Sequence, residues 1–259
     1  MTIFFNKYHG AGNDFVVIDN RNNVIIPAMY NKFIENICNR RFGIGADGLI
    51  LICADSDSDF EMKYYNSDGY EGSMCGNGGR CAAAFAYKNN IAGNVVKFRA
   101  IDGFHNATID GKIVTLSINN VSNIKKGDDY YFINTGSPHY VAFMPDIDAI
   151  DVNKEGMRIR NSPDFSPDGI NVNFVELAQN HIYVRTYERG VEAETLSCGT
   201  GATASAIAAV VSGHFDSKKI DVKTKGGNLS VSFDIKNETI KNIFLSGPAT
   251  FVFEGKIEI

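Results

Sequence analysis

Residues 73–81 read SMCGNGGRC and run directly into the apolar segment AAAFAYKNN. A second stretch of the same kind, LSCGTGA at residues 196–202, runs into TASAIAAVVSG. In both, a cysteine is followed by glycines and then by a predicted helix with almost no polar face. A helix that is apolar on nearly all sides must be surrounded by protein. We therefore expect each helix to form the centre of a folded unit.

The similarity between the two halves extends beyond these turns. Cys75 and Cys198 lie 123 residues apart, and each has a serine two residues before it, a glutamate four before it and a tyrosine eleven before it. Ser137, in the loop TGSPH, follows Asn13, in the loop HGAGND, by 124 residues. These separations are close to half of the 259-residue chain, which indicates a duplicated domain.

We predict an α+β fold with two pseudo-symmetric domains, residues 1–124 carrying Cys75 and residues 125–259 carrying Cys198. Each domain is expected to be a curved, mainly antiparallel β-sheet wrapped around a central buried helix. Strands are predicted from apolar alternation and turn signals at 2–8, 15–19, 49–54, 60–66, 94–101, 104–110, 112–118, 130–134, 140–144, 170–177, 181–187, 219–224, 228–235, 240–246 and 249–254. The polar residues 145–169 give no clear prediction.

The position of the two cysteines before a helix start has a chemical consequence. The first N–H groups of a helix have no internal partner and carry partial positive charge, so they stabilise a thiolate and hold an anion. Glycine lets this backbone approach a ligand, and Asn77 and Thr200 are capping-type residues. We expect a lowered pKa for Cys75 and Cys198. For either one alone, a buried structural cysteine beside a glycine-rich turn is the alternative.

The other cysteines and one glycine motif are given structural interpretations. Cys38 belongs to the apolar face of a helix predicted over residues 28–41, Cys53 ends the apolar strand LILICA, and Cys81 packs inside the helix that follows Cys75. The segment GIGADG at residues 43–48 formally matches the dinucleotide-binding fingerprint. That motif should follow a strand and open a helix, whereas this one follows a helix and opens a strand, so we reject it.

Composition and charge exclude several classes of function. A net charge of −5 without basic clusters argues against a nucleic-acid partner. No signal-peptide pattern and no run of 18 apolar residues are found, which predicts no membrane span and a cytoplasmic location. Five cysteines without a C-x-x-C pair fit a reducing compartment and predict no zinc or other metal site. The chain also shows no lysine signature of a pyridoxal site, so no cofactor is expected.

Six motifs in order, HGAGNDF, RRFGIGADG, NSDGYEGSMCGNGGRC, NTGSPHYV, INVNFVE and YERGVEAETLSCGTGA, resemble the diaminopimelate epimerase family over residues 3–212. The resemblance implies a cofactor-independent epimerase that converts LL- to meso-diaminopimelate for lysine and peptidoglycan synthesis. It also implies an active site in the cleft between two pseudo-symmetric domains, and a homodimer. Inverting an α-carbon needs a base on one face and an acid on the other, and paired cysteines suit both roles.

The resemblance assigns roles to individual residues. Cys75 and Cys198 are the acid and base, and the backbone N–H groups of Gly76, Asn77, Gly199 and Thr200 hold the carboxylate at the reacting centre. The residues expected to bind the rest of the substrate are Asn13, which lines the site, and Asn66, Asn171, Glu188 and Arg189 at its distal amino-acid end.

Two positions depart from the family pattern, and a third has two alternative roles. Gly48 stands where some family members have a substrate-facing glutamine, and Ser137 stands where many have asparagine. His139 either orients or deprotonates a thiol, or makes a structural hydrogen bond.

Three other functions are compatible with the sequence. A racemase of another amino acid, such as proline or histidine, would keep both cysteines but not the distal set. A non-catalytic binding protein with this fold would not need both thiols. A thiol–disulfide oxidoreductase would use two cysteines but would normally place them close together in the sequence. Exchange of the α-hydrogen with solvent separates these functions.

Overall fold

The computed structural model describes residues 1–26, 30–236 and 239–258. Its contacts divide the chain into two units. The first unit consists of Met1–Leu116 together with the C-terminal segment that begins at Gly247, and the second consists of Ser117–Ser246. Among the described helices, none has the length and apolar character needed to span a membrane.

The first unit is a sheet that surrounds one central helix. Its strands are β1 (Thr2–Gly10), β2 (Asn13–Asp19), β3 (Gly48–Cys53), β4 (Phe60–Asn66), β5 (Val95–Ala100), β6 (Gly103–Asp110) and β7 (Ile113–Ile118), and its helices are α1 (Tyr30–Cys38) and α2 (Gly76–Lys88). Helix α2 packs against β1, β2, β3, β4 and β6. The predicted central helix is therefore confirmed.

The second unit has the same plan. Its strands are β8 (Lys125–Lys126), β9 (Tyr131–Asn134), β10 (Pro138–Phe143), β11 (Asn171–Leu177), β12 (His181–Glu188), β13 (Ala193–Thr195), β14 (Lys219–Thr224), β15 (Gly227–Lys236) and β16 (Thr239–Pro248). Its helices are α3 (Val152–Arg160) and α4 (Gly199–Val211). Helix α4 packs against six strands of this unit, β9, β10, β11, β12, β14 and β15.

The order of strand pairings shows the duplication directly. From β1 to β7, successive neighbours pair antiparallel, parallel, antiparallel, parallel, antiparallel and antiparallel. The series β9, β10, β11, β12, β14, β15 and β16 repeats the same order of directions. Both units are thus mainly antiparallel with two parallel steps, and the predicted α+β fold with two pseudo-symmetric halves is confirmed.

Helix α4 can be central because its side chains are small. Every residue from Gly199 to Ala209 is buried, and the hydroxyl groups of Thr203 and Ser205 are satisfied within the helix. Thr203 Oγ1 donates to Gly199 O at 2.9 Å, and Ser205 Oγ donates to Gly201 O at 2.8 Å. A buried hydroxyl that donates to the carbonyl four residues earlier leaves no polar atom unpaired in the core.

The two outer helices, α1 and α3, each pack on the face of the sheet that the central helix does not contact. In the first unit, Ile34, Ile37 and Cys38 of α1 join a core cluster with residues of β1, β2 and β3. This agrees with the interpretation of Cys38 as a core residue. The helix ends at Cys38, three residues before the predicted end, and the predicted start at 28 and Met29 lies outside the described residues.

The polar residues 145–169, for which the sequence pattern gives no clear prediction, contain helix α3. Asp151 caps this helix by accepting a hydrogen bond from Lys154 N at 3.0 Å, and basic residues fill its last turn. Gly156 lets α3 approach the sheet, because a Cβ there would lie 2.3 Å from Tyr187 Cβ.

The last strand, β17 (Thr250–Glu258), returns to the first unit. It pairs antiparallel with β1 from Thr2 opposite Glu258 to His9 opposite Thr250. The unit boundaries therefore differ from the predicted single boundary after residue 124, because the free edge of β1 is covered by the C-terminal strand. Turn signals around residue 124 do not reveal this pairing.

Candidate active site

The two cysteines that the sequence singled out cap the two central helices. Cys75 has φ −102° and ψ 116°, and its Sγ accepts a hydrogen bond from Gly78 N at 3.4 Å. Cys198 has φ −115° and ψ 114°, and its Sγ accepts from Gly201 N at 3.4 Å. The predicted duplication thus extends to the conformation of the cysteines themselves.

Helical hydrogen bonding begins just after each cysteine. The carbonyl of Cys75 accepts from Gly79 N at 2.8 Å, and the carbonyl of Cys198 accepts from Ala202 N at 2.8 Å. The N–H groups of the two residues after each cysteine therefore precede the first intrahelical bond. These are the groups of Gly76 and Asn77 in α2 and of Gly199 and Thr200 in α4, where a helix carries partial positive charge.

Asn13 lies against the first cysteine. The Sγ of Cys75 donates to Asn13 Oδ1 at 3.6 Å, and Asn77 Nδ2 donates to the same oxygen at 3.3 Å. Asn13 Nδ2 in turn donates to Asp47 Oδ2 at 2.8 Å. The predicted loop around Asn13 is a tight hairpin in which only Ala11 and Gly12 lie outside the strands, with φ values of 51° and 86°.

A cluster of charges holds this hairpin in place. Asp14 pairs with Lys7 Nζ at 2.6 Å and with Arg40 Nη2 at 2.7 Å, and Arg40 also pairs with Asp47 at 2.6 Å. Burial alone would raise the pKa of Asp14, but hydrogen bonds and charges from Arg40 and Lys7 lower this pKa to about 2. Asp47 is a supporting residue that the sequence analysis did not assign.

The second cysteine has a hydroxyl beside it instead of an amide oxygen. Cys198 Sγ lies 3.5 Å from Thr200 Oγ1, and either atom can be the donor. The carbonyl of Thr200 accepts from Thr135 Oγ1 at 3.0 Å. The turn that contains Cys198 is thereby attached to the segment that leads into β10.

Asn173 lies beneath the first turn of α4. A Cβ at Gly201 would be 2.4 Å from Asn173 Oδ1, so the glycine is required for this approach. Asn173 Oδ1 accepts from Thr186 Oγ1 at 2.9 Å, and its Nδ2 donates to Tyr140 O at 2.9 Å. The signal in the sequence was a polar residue inside the apolar strand INVNFVEL.

His139 is fully buried and bonded to this same asparagine. Its Nδ1 lies 3.1 Å from Asn173 Nδ2, and its Nε2 has no hydrogen-bond partner among the described residues. Burial, and secondarily the charge of Arg189, lowers the pKa of His139 to about 3, so the ring is neutral near pH 7. Because the amide donates to Nδ1, the ring proton lies on Nε2. This arrangement agrees with a structural hydrogen bond.

Three of the predicted substrate-binding and supporting positions lie together in the second unit. Asn171 Nδ2 donates to Ser137 Oγ at 2.8 Å, and Asn171 Oδ1 accepts from the backbone N–H of Arg189 at 2.9 Å. Arg189 Nη1 also donates to Asp168 O at 3.3 Å. Glu188, the last residue of β12, directly precedes Arg189.

Asn66 ends β4 in the first unit, opposite Gly48 of β3. A Cβ at Gly48 would lie 2.5 Å from Tyr65 O and 2.6 Å from Tyr64 Cε2. The ring of Tyr64 therefore occupies the space beside residue 48. This explains why no longer side chain stands there in this chain, and Tyr64 is a neighbour of Asn66 that the sequence analysis did not single out.

The family profile and the full-length relatives agree on one family. The sequence profile described as "Diaminopimelate epimerase" matches residues 5–113 and 131–252. The diaminopimelate epimerase of Flavobacterium psychrophilum is 52% identical over 97% of this chain and 98% of its own length, and that of Chlorobaculum tepidum is 42% identical over 96% and 99%. Among the described residues no cluster of three or more metal-binding side chains is present.

Solved structures at low sequence identity share the fold. A phenazine biosynthesis protein of the PhzF family from Bacillus anthracis has a TM-score of 0.80 at 14% identity, with both chains covered completely. A hydroxyproline epimerase from Agrobacterium vitis has a TM-score of 0.75 at 12% identity, covering 99% of this chain and 92% of the other. From the profile and the full-length relatives, this chain belongs to the diaminopimelate epimerase family and is an isomerase that acts on amino acids.

Proposed function

We propose that this enzyme converts LL-2,6-diaminopimelate to meso-diaminopimelate by a two-cysteine mechanism. The observation that carries the proposal is the equivalent capping geometry of Cys75 and Cys198 at the starts of α2 and α4. It is supported by relatives named diaminopimelate epimerase that match nearly the full length of the chain.

The proposed chemistry moves one proton off the α-carbon and another onto it. One cysteine acts as a thiolate and takes the α-proton, so a C–H bond breaks and an S–H bond forms. The electron pair left on carbon delocalises into the adjacent carboxylate as an enediolate. The second cysteine, as a thiol, then gives its proton to the opposite face of the carbon. The two cysteines end with exchanged protonation states, and no cofactor is required.

The helix starts are suited to stabilising the enediolate. The N–H groups of Gly76, Asn77, Gly199 and Thr200 precede the first intrahelical bonds and are proposed to hold the reacting carboxylate. One preorganised donor directed at developing negative charge lowers a barrier by roughly 3 kcal/mol. This addresses the weak acidity of an amino-acid α-hydrogen, which is the main obstacle to the reaction.

The distal amino-acid end of the substrate is assigned to Asn66, Asn171, Glu188 and Arg189. Arginine and asparagine side chains can pair a carboxylate, and a glutamate can pair an ammonium. The bond from Arg189 N to Asn171 Oδ1 keeps two of these residues in a fixed relation. A substrate without a distal carboxylate and ammonium would leave such groups unpaired, which disfavours it by roughly 10⁴.

We place this reaction in the cytoplasm, in the synthesis of lysine and peptidoglycan precursors, and we propose that the enzyme is a homodimer. These statements follow from the family resemblance. Gel filtration with light scattering tests the dimer.

The function is tested by α-hydrogen exchange in heavy water. The purified protein is incubated separately with LL-diaminopimelate, proline, histidine and lysine, and deuterium at Cα is measured by mass spectrometry. We expect exchange with diaminopimelate and essentially none with the other three. Equal or faster exchange with proline would instead assign the chain to a different racemase specificity, and no exchange with any substrate would refute an amino-acid epimerase.

A matched pair of arginine variants tests the distal assignment. Arg189→Met is expected to remove most of the activity with diaminopimelate. Arg158→Gln is the control, because Arg158 is an exposed residue of α3 that pairs with Glu155 at 2.8 Å. Equal activity of the two variants would contradict the assignment of Arg189.

A further inference from the structure

Arg80 is a completely buried cation in the first turns of α2. Its Nη1 donates to Gly76 O at 3.2 Å, and its Nη2 donates to Asn77 Oδ1 at 2.7 Å. Its Nε has no hydrogen-bond partner among the described residues. Burial lowers the pKa of this guanidinium, the thiols of Cys81 and Cys75 oppose the shift, and no carboxylate of the described part of the chain forms an ion pair with it. Burying a guanidinium without a counter-ion costs free energy, so an arginine at this position requires a compensating interaction.

The equivalent position in α4 shows that local structure alone does not require a charge. Thr203 lies five residues after Cys198, as Arg80 lies five residues after Cys75. Thr203 is also fully buried, and its Oγ1 donates to Gly199 O at 2.9 Å, the counterpart of the bond from Arg80 to Gly76 O. A neutral side chain therefore satisfies this carbonyl in one half of the molecule. Of these two equivalent helix positions, only the one that follows Cys75 carries a positive charge.

Arg80 also fixes the orientation of the amides around Cys75. Since a guanidinium only donates, Asn77 must present Oδ1 to Arg80 and Nδ2 to Asn13, at 3.3 Å. Asn13 donates from its own Nδ2 to the carboxylate of Asp47, at 2.8 Å. Because the cation Arg80 lies at one end of this chain of hydrogen bonds and the anion Asp47 lies at the other, neither side-chain amide can flip. The oxygen of Asn13 is thereby held 3.6 Å from Cys75 Sγ.

We propose that Arg80 is a positioning residue whose buried positive charge, beneath the first turn of α2, receives its counter-ion when the substrate carboxylate binds there. The inference rests on the proposed function, in which the backbone of Gly76 and Asn77 holds that carboxylate. Arg80 adds a full charge to the partial charge of the helix start, and it does so at one cysteine only. The two helix starts, equal in backbone geometry, are therefore unequal in their attraction for anions.

Selective alkylation measures this inequality without the substrate. Iodoacetate is an anion and iodoacetamide is its neutral analogue, so the ratio of their rates at one sulfur reports anion attraction and cancels differences in accessibility. In the wild-type protein, peptide mapping should show a ratio at Cys75 roughly tenfold or more above the ratio at Cys198. Equal ratios at the two cysteines would overturn the proposal, and this comparison needs no variant.

Variants then assign the effect to the charge. Arg80→Gln keeps an amide donor but removes the charge, and it should lower the ratio at Cys75 roughly tenfold while the ratio at Cys198 stays the same. Arg80→Lys should retain most of the ratio. Arg21→Gln is the control for losing an arginine, because Arg21 is an exposed residue that pairs with Asp19. A folded Arg80→Gln protein, judged by near-UV circular dichroism, with an unchanged ratio at Cys75 would refute the role of the charge.

Turnover provides the second readout. The kcat/KM for diaminopimelate should fall roughly ten- to a hundred-fold in Arg80→Gln, with a smaller loss in Arg80→Lys. If the wild-type protein does not epimerise diaminopimelate, the proposed function fails, while the alkylation ratios still decide whether Arg80 attracts anions to Cys75. If the wild-type protein turns over and Arg80→Gln retains wild-type kcat/KM, only the inference about Arg80 fails.

Discussion

Cys75 and Cys198 have the same backbone conformation but different polar neighbours. Cys75 faces the oxygen of Asn13, which can only accept a hydrogen bond, whereas Cys198 faces the hydroxyl of Thr200, which can donate or accept. A hydrogen-bond acceptor beside the sulfur favours the protonated thiol, and a hydrogen-bond donor beside it favours the thiolate. The sulfurs are therefore placed among groups that can support both protonation states of a two-base reaction.

Each cysteine is predicted to be indispensable. Cys75→Ala and Cys198→Ala should each lower kcat by roughly 10³ or more, because each removes the acid or the base from one face of the substrate carbon. Neither change should prevent folding, since an alanine fits where the cysteine stands. The assay is epimerisation of LL-diaminopimelate followed by chiral chromatography.

The control for that pair is Cys53→Ala, a change in a core strand outside the proposed site. It should keep near wild-type kcat. Full turnover by either Cys75→Ala or Cys198→Ala would rule out the two-cysteine mechanism.

His139 gives a prediction about acid stability. Its pKa is about 3 in the folded protein and about 6.5 in an unfolded chain, so the unfolded state binds the proton more readily. Its contribution to stability is complete above about pH 6.5 and is lost as the pH falls from there toward 3, by up to about 1.4 kcal/mol per pH unit. In His139→Gln, the free energy of unfolding should fall less steeply over this window than in the wild type.

Urea titrations at several pH values measure this slope. His214→Gln, a change at an exposed histidine, should leave the slope as it is. An unchanged slope in His139→Gln would show that the ring titrates normally in the folded protein.

At the scale of elements, the starts of α2 and α4 differ in what lies beneath them. A Cβ at Gly78 would meet Met62 Cε at 3.2 Å, the movable end of a flexible side chain. A Cβ at Gly201 would meet Asn173 Oδ1 at 2.4 Å, and Asn173 is held by three hydrogen bonds. We expect Gly201→Ala to lower the free energy of unfolding by about 1–3 kcal/mol.

Gly78→Ala is the matched control at the equivalent helix position. It should be neutral within about 1 kcal/mol, because the gain in helix propensity offsets the small shift of Met62. Denaturant titration of both variants measures the difference. Equal destabilisation by Gly201→Ala and Gly78→Ala would mean that Asn173 is not held rigidly against the first turn of α4.

The central helices could be predicted from sequence because their segments are apolar on every side, and the cysteines could be placed at their starts because glycines follow them. Helix α3 could not, since its stretch is polar and its few apolar positions, such as Val152 and Ile159, face a core that the sequence does not show. The end of α1 at Cys38 was also missed, because the residues after it continue a polar pattern that a helix tolerates.

At the scale of the whole molecule, the repeat of sequence motifs predicted the repeat of strand pairings. What it did not predict is the pairing of β17 with β1, a contact between the two ends of the chain. Likewise, the proposed site residues were assigned from motifs, and Arg80 and Asn173 lie in two of those motifs, but the motifs assign no role to them. Arg80 matters as a completely buried charge, and Asn173 matters through hydrogen bonds to residues distant in sequence, His139, Tyr140 and Thr186. One charged or polar residue in an apolar segment indicates such a role only weakly.

The early distribution of deuterium, when unlabelled LL-diaminopimelate is turned over in heavy water, distinguishes a two-base reaction from a one-base reaction. With two cysteines acting on opposite faces, the acid carries a solvent deuteron, so the meso product should contain deuterium at the inverted carbon from the first turnovers, while the recovered LL-substrate keeps its hydrogen. Product that retains the substrate's hydrogen, or LL-substrate that gains deuterium faster than product forms, would show that one base serves both faces and would contradict the two-cysteine account.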